Sequence, residues 1–318
     1  MRKTRILAVV GPTASGKTAL SVALAKRLDG EVVSCDSMQI YRGMDIGTAK
    51  PTQEEMDGVL HHMIDVSDPD VPFCAADYVS LAKKAIEEIV ARGKLPIFCG
   101  GTGLYLDSLL RGGFAETQAD PALREQLLAY AAEHGAHALH ERLRAVDPES
   151  AEAIHENNVK RVVRALEIYE STGMTKSEAD RRSKETASPY DATVVGLFYP
   201  TREILYERIA RRVDLMLADG LAEETRRLDA AGVFLKNSTA AQAIGYKELL
   251  PFVRGEESIE EGRERLVIAT RHYAKRQLTW FGAKDYVRRM EMERDGQTRP
   301  ISEVADEVIS VWNGNEKN

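Results

Sequence analysis

Eight residues near the amino terminus have the types and spacing of a phosphate-binding loop. Residues 11–18 read Gly-Pro-Thr-Ala-Ser-Gly-Lys-Thr and match the pattern G-x-x-x-x-G-K-[ST]. They lie between an apolar run at 5–10, which predicts a strand, and a stretch at 18–28 whose leucines have helical spacing. The glycines let backbone N–H groups surround a diphosphate, Lys17 supplies a cation, and Thr18 can hold Mg²⁺. The motif predicts diphosphate binding and leaves open whether the diphosphate belongs to a nucleotide.

Asp36 is the next residue whose position suggests chemistry. It directly follows a second predicted strand at 31–35. A carboxylate beside a cation-rich phosphate site stays ionised and can accept a proton as a general base. The alternative is that Asp36 is a helix N-cap or an outer partner of a magnesium ion. The amide of Gln39, three residues on, can pair with an adenine edge, or it can simply face solvent.

A second glycine-rich turn follows another strand-like run. Residues 95–99 read as a strand that opens onto Gly-Gly-Thr-Gly at 100–103. Such a turn often serves helix packing alone. Because ligands of open α/β sheets bind at the carboxyl ends of the strands, we expect Thr102 to lie on the same edge as the phosphate loop and Asp36, and to touch substrate.

The order of the segments predicts an α/β protein, with a P-loop NTPase-like parallel sheet core and a helical insertion domain. Strand-like runs at 5–10, 31–35, 95–99 and 193–199 alternate with helical segments, but from about residue 114 the pattern is helix after helix. We therefore predict a core of residues 1–115 and 191–318 and an insertion at 116–190. After the last predicted strand we expect mainly helices, at 202–218, 222–231, 239–253 and 259–281.

Two basic stretches are candidates for contact with RNA, and each can also be an ordinary solvated face. Lys160 and Arg164 share one side of a predicted helix by their i, i+4 spacing, while the valines between them can pack. In residues 271–280 cations alternate with aromatic residues, a mixture that favours nucleic acid, although Trp280 can equally belong to the core. On another predicted helix, at least one of three arginines can reach the diphosphate: Arg208, Arg211 and Arg212.

The composition is that of a soluble protein. The 318 residues are 43% hydrophobic and 29% charged, and no apolar run approaches the ~18 residues that suggest a membrane span. Three cysteines without a Cys-x-x-Cys pair favour the reducing cytoplasm and indicate neither a disulfide framework nor a thiolate zinc site. The net charge of −7 means that any RNA contact must be patchy. We expect His134, His137 and His140 on the surface, since no acidic ligand pattern accompanies them.

Five segments together resemble bacterial tRNA dimethylallyltransferases, also called tRNA isopentenyltransferases. They are the phosphate loop, Asp-Ser-Met-Gln-Ile-Tyr-Arg-Gly-Met-Asp-Ile-Gly-Thr-Ala-Lys-Pro at 36–51, Gly-Gly-Thr-Gly-Leu-Tyr at 100–105, Lys-Arg-Val-Val-Arg-Ala-Leu-Glu at 160–167 and Lys-Arg-Gln-Leu-Thr-Trp at 275–280. The stretch 36–51 is far more specific than the phosphate loop, which many unrelated NTPases share. The resemblance extends over nearly the whole chain.

This resemblance implies transfer of a dimethylallyl group from dimethylallyl diphosphate to N6 of the adenosine at position 37 of tRNA, beside the anticodon, with release of diphosphate. It implies Mg²⁺ held at Thr18, no zinc, and tRNA binding by the insertion. The implied catalytic residues are Asp36, Lys17, Thr102 and Arg212. The implied diphosphate-binding residues are Gly11, Pro12, Thr13, Ala14, Ser15, Gly16, Lys17, Thr18 and Arg212. The implied tRNA-binding residues are Asp36, Ser37, Met38, Gln39, Thr102, Lys160, Arg161, Val162, Val163, Arg164, Arg276 and Gln277. The family motif often has glutamine where this chain has Lys160. We also expect a monomer that binds no membrane.

Three other functions fit parts of the pattern. A small-molecule kinase would use the loop and the aspartate on the next strand for phosphoryl transfer to a hydroxyl. An adenylate isopentenyltransferase would perform the same prenyl transfer on a free nucleotide, but the long helical insertion with Lys160 to Arg164 favours a large RNA. A non-catalytic RNA-binding protein would use the loop as a regulatory switch. Incorporation of an isoprenoid into tRNA without ATP separates the predicted activity from the kinase.

Overall fold

The computed structural model describes residues 3–110, 120–185 and 187–314. The strands are β1 (Thr4–Val10), β2 (Gly30–Ser34), β3 (His61–His62), β4 (Leu95–Gly100), β5 (Tyr190–Phe198), β6 (Val287–Glu291), β7 (Glu293–Arg294) and β8 (Gln297–Thr298). The helices are α1 (Lys17–Leu28), α2 (Gln53–Met56), α3 (Ala75–Ala91), α4 (Gly103–Leu110), α5 (Pro121–Val146), α6 (Pro148–Ala153), α7 (Val159–Thr172), α8 (Lys176–Glu185), α9 (Arg202–Ala218), α10 (Leu221–Ala230), α11 (Val233–Lys236), α12 (Tyr246–Val253), α13 (Ile259–Gly282) and α14 (Ile301–Gly314). A 3₁₀ turn spans Ala240–Gln242.

Six strands form one parallel sheet in the order β3-β2-β4-β1-β5-β6, and β7 pairs with β8 in a separate antiparallel hairpin. Strand β1 lies inside this sheet, and its residues from Ile6 to Val10 are all buried. A parallel strand covered on both faces reads as a continuous apolar run, which is why this segment was predictable. The predicted fold class is confirmed.

Strands β3 and β6 and helix α14 have no counterpart among the predicted elements. Strand β6 lies at one edge of the sheet, and only Val287 and Met290 of its five residues are buried, so it has no strand-like alternation. The predicted helix at 239–253 is also wrong in its extent. It is a 3₁₀ turn and the separate helix α12, because Gly245 takes a positive φ of 111° that interrupts a right-handed helix.

Contacts along the chain divide it into two compact units, Met1–Leu109 with Tyr190–Asn318, and Leu110–Pro189. The first contains the parallel sheet. The second contains α5 to α8, and α5, α6 and α7 share a core that includes Leu139, Leu143 and Leu166. The boundary that we predict at 115–116 lies outside the described residues. No helix in the described part of the chain is long and apolar enough to cross a membrane.

One of the three histidines expected on the surface is buried. The Nε2 atom of His140 lies 2.9 Å from the carbonyl oxygen of Ala151 and 2.8 Å from that of Ile154. The backbone at Gly135 is non-helical, with φ 88° and ψ 159°, so helical spacing does not extend across α5. His140 therefore packs inside the second unit and joins α5 to the end of α6.

Candidate active site

A cavity of about 380 Å³ lies at the carboxyl edge of the sheet in the first unit. Three loops that follow sheet strands supply one part of its lining: Lys17 and Thr18 after β1, Asp36 after β2, and Gly100 at the end of β4. The rest includes Arg212 and apolar side chains of α9 and α13, namely Ile209, Val213, Met216 and Leu266. The cavity therefore offers cations, a carboxylate and apolar surface to the same ligand.

The phosphate loop has the backbone that its glycines predict. Gly11 has φ 142°, and a Cβ there would lie 2.9 Å from the carbonyl oxygen of Leu197 on β5. Gly16 has φ 96° and precedes α1, so the amino terminus of that helix begins at the loop. The loop is also held from outside, because Arg208 Nε donates to the Ala14 carbonyl at 2.8 Å. Of the three arginines on α9, Arg208 thus supports the loop.

Two cations of the cavity are held in surroundings that disfavour their charge. Burial is the main cause that lowers the pKa of Lys17 from 10.5 to about 8; Arg212 acts in the same direction, and Cys99 and Asp36 oppose them. Burial also lowers the pKa of Arg212. In this structure Lys17 Nζ donates to the Pro12 carbonyl at 2.7 Å. A bound anion would compensate both charges, as expected at a diphosphate site.

Asp36 has one carboxylate oxygen engaged and one available. Its Oδ1 accepts hydrogen bonds from the N–H groups of Met38 at 2.9 Å and Gln39 at 3.4 Å, and so caps the turn that follows β2. Its Oδ2 accepts no hydrogen bond from the described residues. The capping role and the role of a proton acceptor in the cavity are therefore compatible.

Thr102 connects two of the loops at the cavity. Its Oγ1 accepts from the Ser37 N–H at 3.0 Å, and its own N–H donates to the Cys35 carbonyl at 3.1 Å. Thr102 itself is not among the residues that line the cavity. Tyr273 on α13 does line it and lies near Thr102, although it is not among the predicted site residues. Burial and the charge of Asp36 raise the pKa of Tyr273, so this phenol keeps its proton.

The amide of Gln39 is engaged within the protein. Its Oε1 accepts from Ser34 Oγ at 2.9 Å, and its Nε2 donates to the carbonyls of Thr48 at 3.3 Å and Ala49 at 3.0 Å. Contact with an adenine edge would require these bonds to exchange. That contact stays a prediction.

Three residues that we predict to contact tRNA have buried side chains. Val162 and Val163 are 0% and 2% exposed and pack in the core of the second unit, so their role is corrected to packing. Gln277 is 4% exposed, and both ends of its amide bond to the backbone of the first unit. The flanking cations Lys160 and Arg161 are exposed.

The remaining predicted cations differ in their surroundings. Arg164 is half-buried, and its Nη1 lies 3.4 Å from the Glu167 carboxylate, which Arg124 also contacts with two hydrogen bonds. Arg276 is exposed, lines the cavity and lies over the ring of Tyr273, with 5.5 Å between the guanidinium carbon and the ring centroid. Gln277, the other residue of the 275–280 motif predicted to bind tRNA, lines the same cavity with its amide engaged in the protein.

The described residues contain no group of three or more His, Cys, Asp or Glu side chains that could hold a metal ion. Mg²⁺ seldom needs such a cage, because it keeps several waters and is bound through substrate phosphates with one or two protein oxygens. The hydroxyl of Thr18 lines the cavity beside Lys17 and is an oxygen donor of that kind. The residues present fit Mg²⁺ that arrives with a diphosphate.

Fold and cavity together define an α/β protein of the P-loop type, with a site suited to a ligand that is anionic in one part and apolar in another. A family model described as IPP transferase matches residues 39–284, and the chain belongs to this family. A tRNA dimethylallyltransferase of Bacillus pumilus is 50% identical over 89% of both chains, and one of Halalkalibacterium halodurans is 48% identical over 95% of this chain and 96% of its own.

Solved structures give the same result. The crystal structure of the full-length tRNA isopentenylpyrophosphate transferase from Bacillus halodurans is 44% identical, with a TM-score of 0.71 and 99% of both chains covered. A eukaryotic dimethylallyltransferase acting on tRNA is 30% identical, with a TM-score of 0.77 over 91% of this chain and 74% of its own. The family predicted from the sequence motifs is confirmed.

Proposed function

We propose that this protein transfers a dimethylallyl group from dimethylallyl diphosphate to N6 of the adenosine at position 37 of tRNA. Membership of the IPP transferase family and the names of the relatives support the activity. The structural observation that carries the proposal is a cavity whose lining combines Lys17, Arg212, Asp36 and apolar side chains of α9.

The reaction requires that a weak nucleophile attack an allylic carbon. A bond forms between N6 of adenine and C1 of the dimethylallyl group, and the C1–oxygen bond breaks with its electron pair on the diphosphate. The proton that N6 loses passes to the free Oδ2 of Asp36. A positioned general base of this kind contributes about 10²–10⁴-fold. Because the adenine amine is otherwise stacked, the base is expected to be extruded from the RNA.

The leaving diphosphate gains negative charge as the bond breaks. Lys17, Arg212 and the N–H groups of the loop would stabilise this charge, and a single well-placed donor is commonly worth about 3–4 kcal/mol. Mg²⁺ bound at Thr18 would supply further positive charge to the leaving group. Thr102 would fix the acceptor side, since it is bonded to the turn that carries Asp36.

The tRNA is proposed to contact both units of the chain. Lys160, Arg161 and Arg164 on α7 would bind phosphates of the tRNA backbone, and Arg276 would lie at the cavity. Arginine and lysine contacts to phosphate give affinity without base specificity. We also propose that the protein acts as a monomer in the cytoplasm.

Mass spectrometry of tRNA nucleosides tests the activity. Purified protein, Mg²⁺ and dimethylallyl diphosphate are incubated with unmodified tRNA, and a dimethylallyl adduct on adenosine is expected without ATP. The same mixture with ATP and no prenyl donor should leave the RNA and small metabolites unphosphorylated. An ATP-dependent phosphorylated product would contradict the proposal.

Asp36→Asn tests the base role more cleanly than Asp36→Ala. An asparagine Oδ1 can still accept from Met38 and Gln39, so the turn is retained while the proton acceptor is lost. We expect Asp36→Asn to lower the transfer rate by about 10²–10⁴-fold with tRNA affinity unchanged. Asp219→Asn, the same change at an exposed position, is the control. Wild-type transfer by Asp36→Asn would exclude Asp36 as the base.

A further inference from the structure

Gln277 bonds to two of the loops that border the cavity. It lies on α13 and is 4% exposed. Its Oε1 accepts a hydrogen bond from the Thr13 N–H at 2.8 Å, and its Nε2 donates to the Gly101 carbonyl at 3.1 Å. Thr13 belongs to the phosphate loop after β1, and Gly101 precedes Thr102 in the turn after β4. One side-chain amide therefore spans the two loops.

The approach of this amide to the turn is close. A Cβ on Gly101 would lie 1.9 Å from Gln277 Nε2, so the contact requires glycine at that position. The connection continues through Thr102, whose Oγ1 accepts from the N–H of Ser37, the residue after Asp36. The phosphate loop, the Thr102 turn and the Asp36 turn are thus joined by hydrogen bonds between side chains and backbone.

We propose that Gln277 is a positioning residue, whose amide sets the distance between the diphosphate loop and the acceptor side of the site. This inference rests on the proposed function, since it concerns the alignment of the two substrates. A side-chain amide carries a donor and an acceptor at the same end of an uncharged chain. An ionised glutamate has only acceptors, so it would place a carboxylate oxygen against the Gly101 carbonyl. Methionine, of similar length, makes neither bond.

The test compares Gln277→Glu with Gln277→Met in single-turnover transfer assays between about pH 5.5 and about 8.5. Each rate is divided by the wild-type rate at the same pH. At the alkaline end both variants are expected to fall roughly 100-fold, the loss that a misplacement of about 1 Å causes, and KM for dimethylallyl diphosphate should change less than the rate. Gln297→Glu, the same change at an exposed position of β8, should follow wild type.

The two variants should separate as the pH falls. A protonated glutamic acid can donate to the Gly101 carbonyl, and burial raises the pKa of a carboxyl, whereas Lys17, Arg212 and Arg276 of the same cavity act in the opposite direction. We expect Gln277→Glu to recover roughly tenfold relative to wild type at the acidic end. Gln277→Met has no proton to regain and should show a constant ratio. A residue that served packing alone would give no such difference between the variants.

A constant ratio for Gln277→Glu, or a wild-type rate in Gln277→Met, would overturn the inference. Thermal unfolding shows whether each variant folds. If Gln277→Glu does not fold, Gln277→Asn replaces it, because asparagine keeps the amide donor and acceptor on a shorter side chain that reaches only one loop. A wild-type rate in Gln277→Asn would contradict the inference. If the wild type transfers nothing, the proposed function fails, and the affinity for inorganic diphosphate should still show the pH-dependent recovery of Gln277→Glu.

Discussion

Lys17 should take up a proton when the diphosphate binds above neutral pH. In the empty cavity its pKa is about 8, mainly because it is buried, against 10.5 for an ordinary lysine. This difference corresponds to about 3 kcal/mol that disfavours the ammonium form before a ligand arrives. The unliganded protein therefore gains stability as pH rises from about 8 towards 10.5, where the unfolded chain still holds the proton that the folded chain has lost. A diphosphate beside Lys17 removes this penalty and returns its pKa towards the ordinary value.

Calorimetry of a non-reactive substrate analogue measures this proton. Dimethylallyl S-thiolodiphosphate is titrated into the protein with Mg²⁺ at pH 8.5 in two buffers of different ionisation enthalpy, and the difference in heat gives the protons exchanged. At pH 8.5 about a quarter of Lys17 is protonated in the empty site, so uptake of about three quarters of a proton per site is expected. At pH 7 the uptake falls to about a tenth.

Two variants decide whether Lys17 is the source. Lys17→Met should bind more weakly and show no uptake beyond that of the ligand itself, whereas Lys275→Met, at an exposed lysine of α13, should match wild type. Because the proteins are compared at the same pH, protons exchanged by the ligand itself are the same for each and do not affect the difference. Wild-type protein that takes up no more protons than Lys17→Met at pH 8.5 would refute the reasoning.

Other predictions concern stability and RNA binding. Hydrogen bonds from Arg92 hold the pKa of Glu31 below its usual range. Their contribution to stability is therefore present above that range and is lost as pH falls through the folded pKa. Glu31→Gln should lower the free energy of unfolding, measured by urea denaturation, by about 1–3 kcal/mol at pH 7 and by less in acid. Gly47→Ala would place a Cβ 2.4 Å from the tyrosine ring opposite and should cost about 1–3 kcal/mol in the same measurement; an unchanged midpoint would contradict the close packing. Val162→Asp should unfold at a lower temperature, because it places a carboxylate in the core. Lys160→Met should keep its melting temperature and reduce the slope of log affinity for tRNA against log salt by about 0.7–0.9. An unchanged slope would show that Lys160 does not contact the RNA.

Local signals were sufficient for the loops that carry the chemistry. The phosphate loop needs a glycine pattern between a strand and a helix, and all three can be read from neighbouring residues. Asp36 and Thr102 were placed on one edge by a general rule for parallel sheets. Both lie at that edge in the structure, and Ser37 bonds to Thr102.

Tertiary packing determines the position of the residues whose predicted role differs from what the structure shows. Gln277 follows two cations and reads as part of a polar, RNA-facing stretch, yet α13 turns it towards the phosphate loop. Val162 and Val163 have the apolar spacing of a core face, and the structure buries them while Lys160 and Arg161 stay exposed. Strand β6 has no periodic signal, because Arg288 and Arg289 stand between its two buried residues. Backbone pairing with β5 holds β6 in the sheet, although its own sequence carries no strand pattern.

The segment that most resembles the family, residues 36–51, owes its form to partners elsewhere in the chain. The Glu224 carboxylate accepts hydrogen bonds from the N–H groups of Asp45, Ile46 and Gly47 at 3.0–3.1 Å and a further one from a buried tyrosine hydroxyl. Next to it, the Lys50 ammonium bonds to two aspartates and a carbonyl.

Most polar groups of this segment are therefore used to fix its backbone, and the free oxygen of Asp36 is an exception. The base role proposed for Asp36 needs such a rigid support, because catalysis depends on geometry set before the substrate arrives. Seven residues of this segment line the cavity, so the hydrogen bonds that fix its backbone also fix one side of the candidate site.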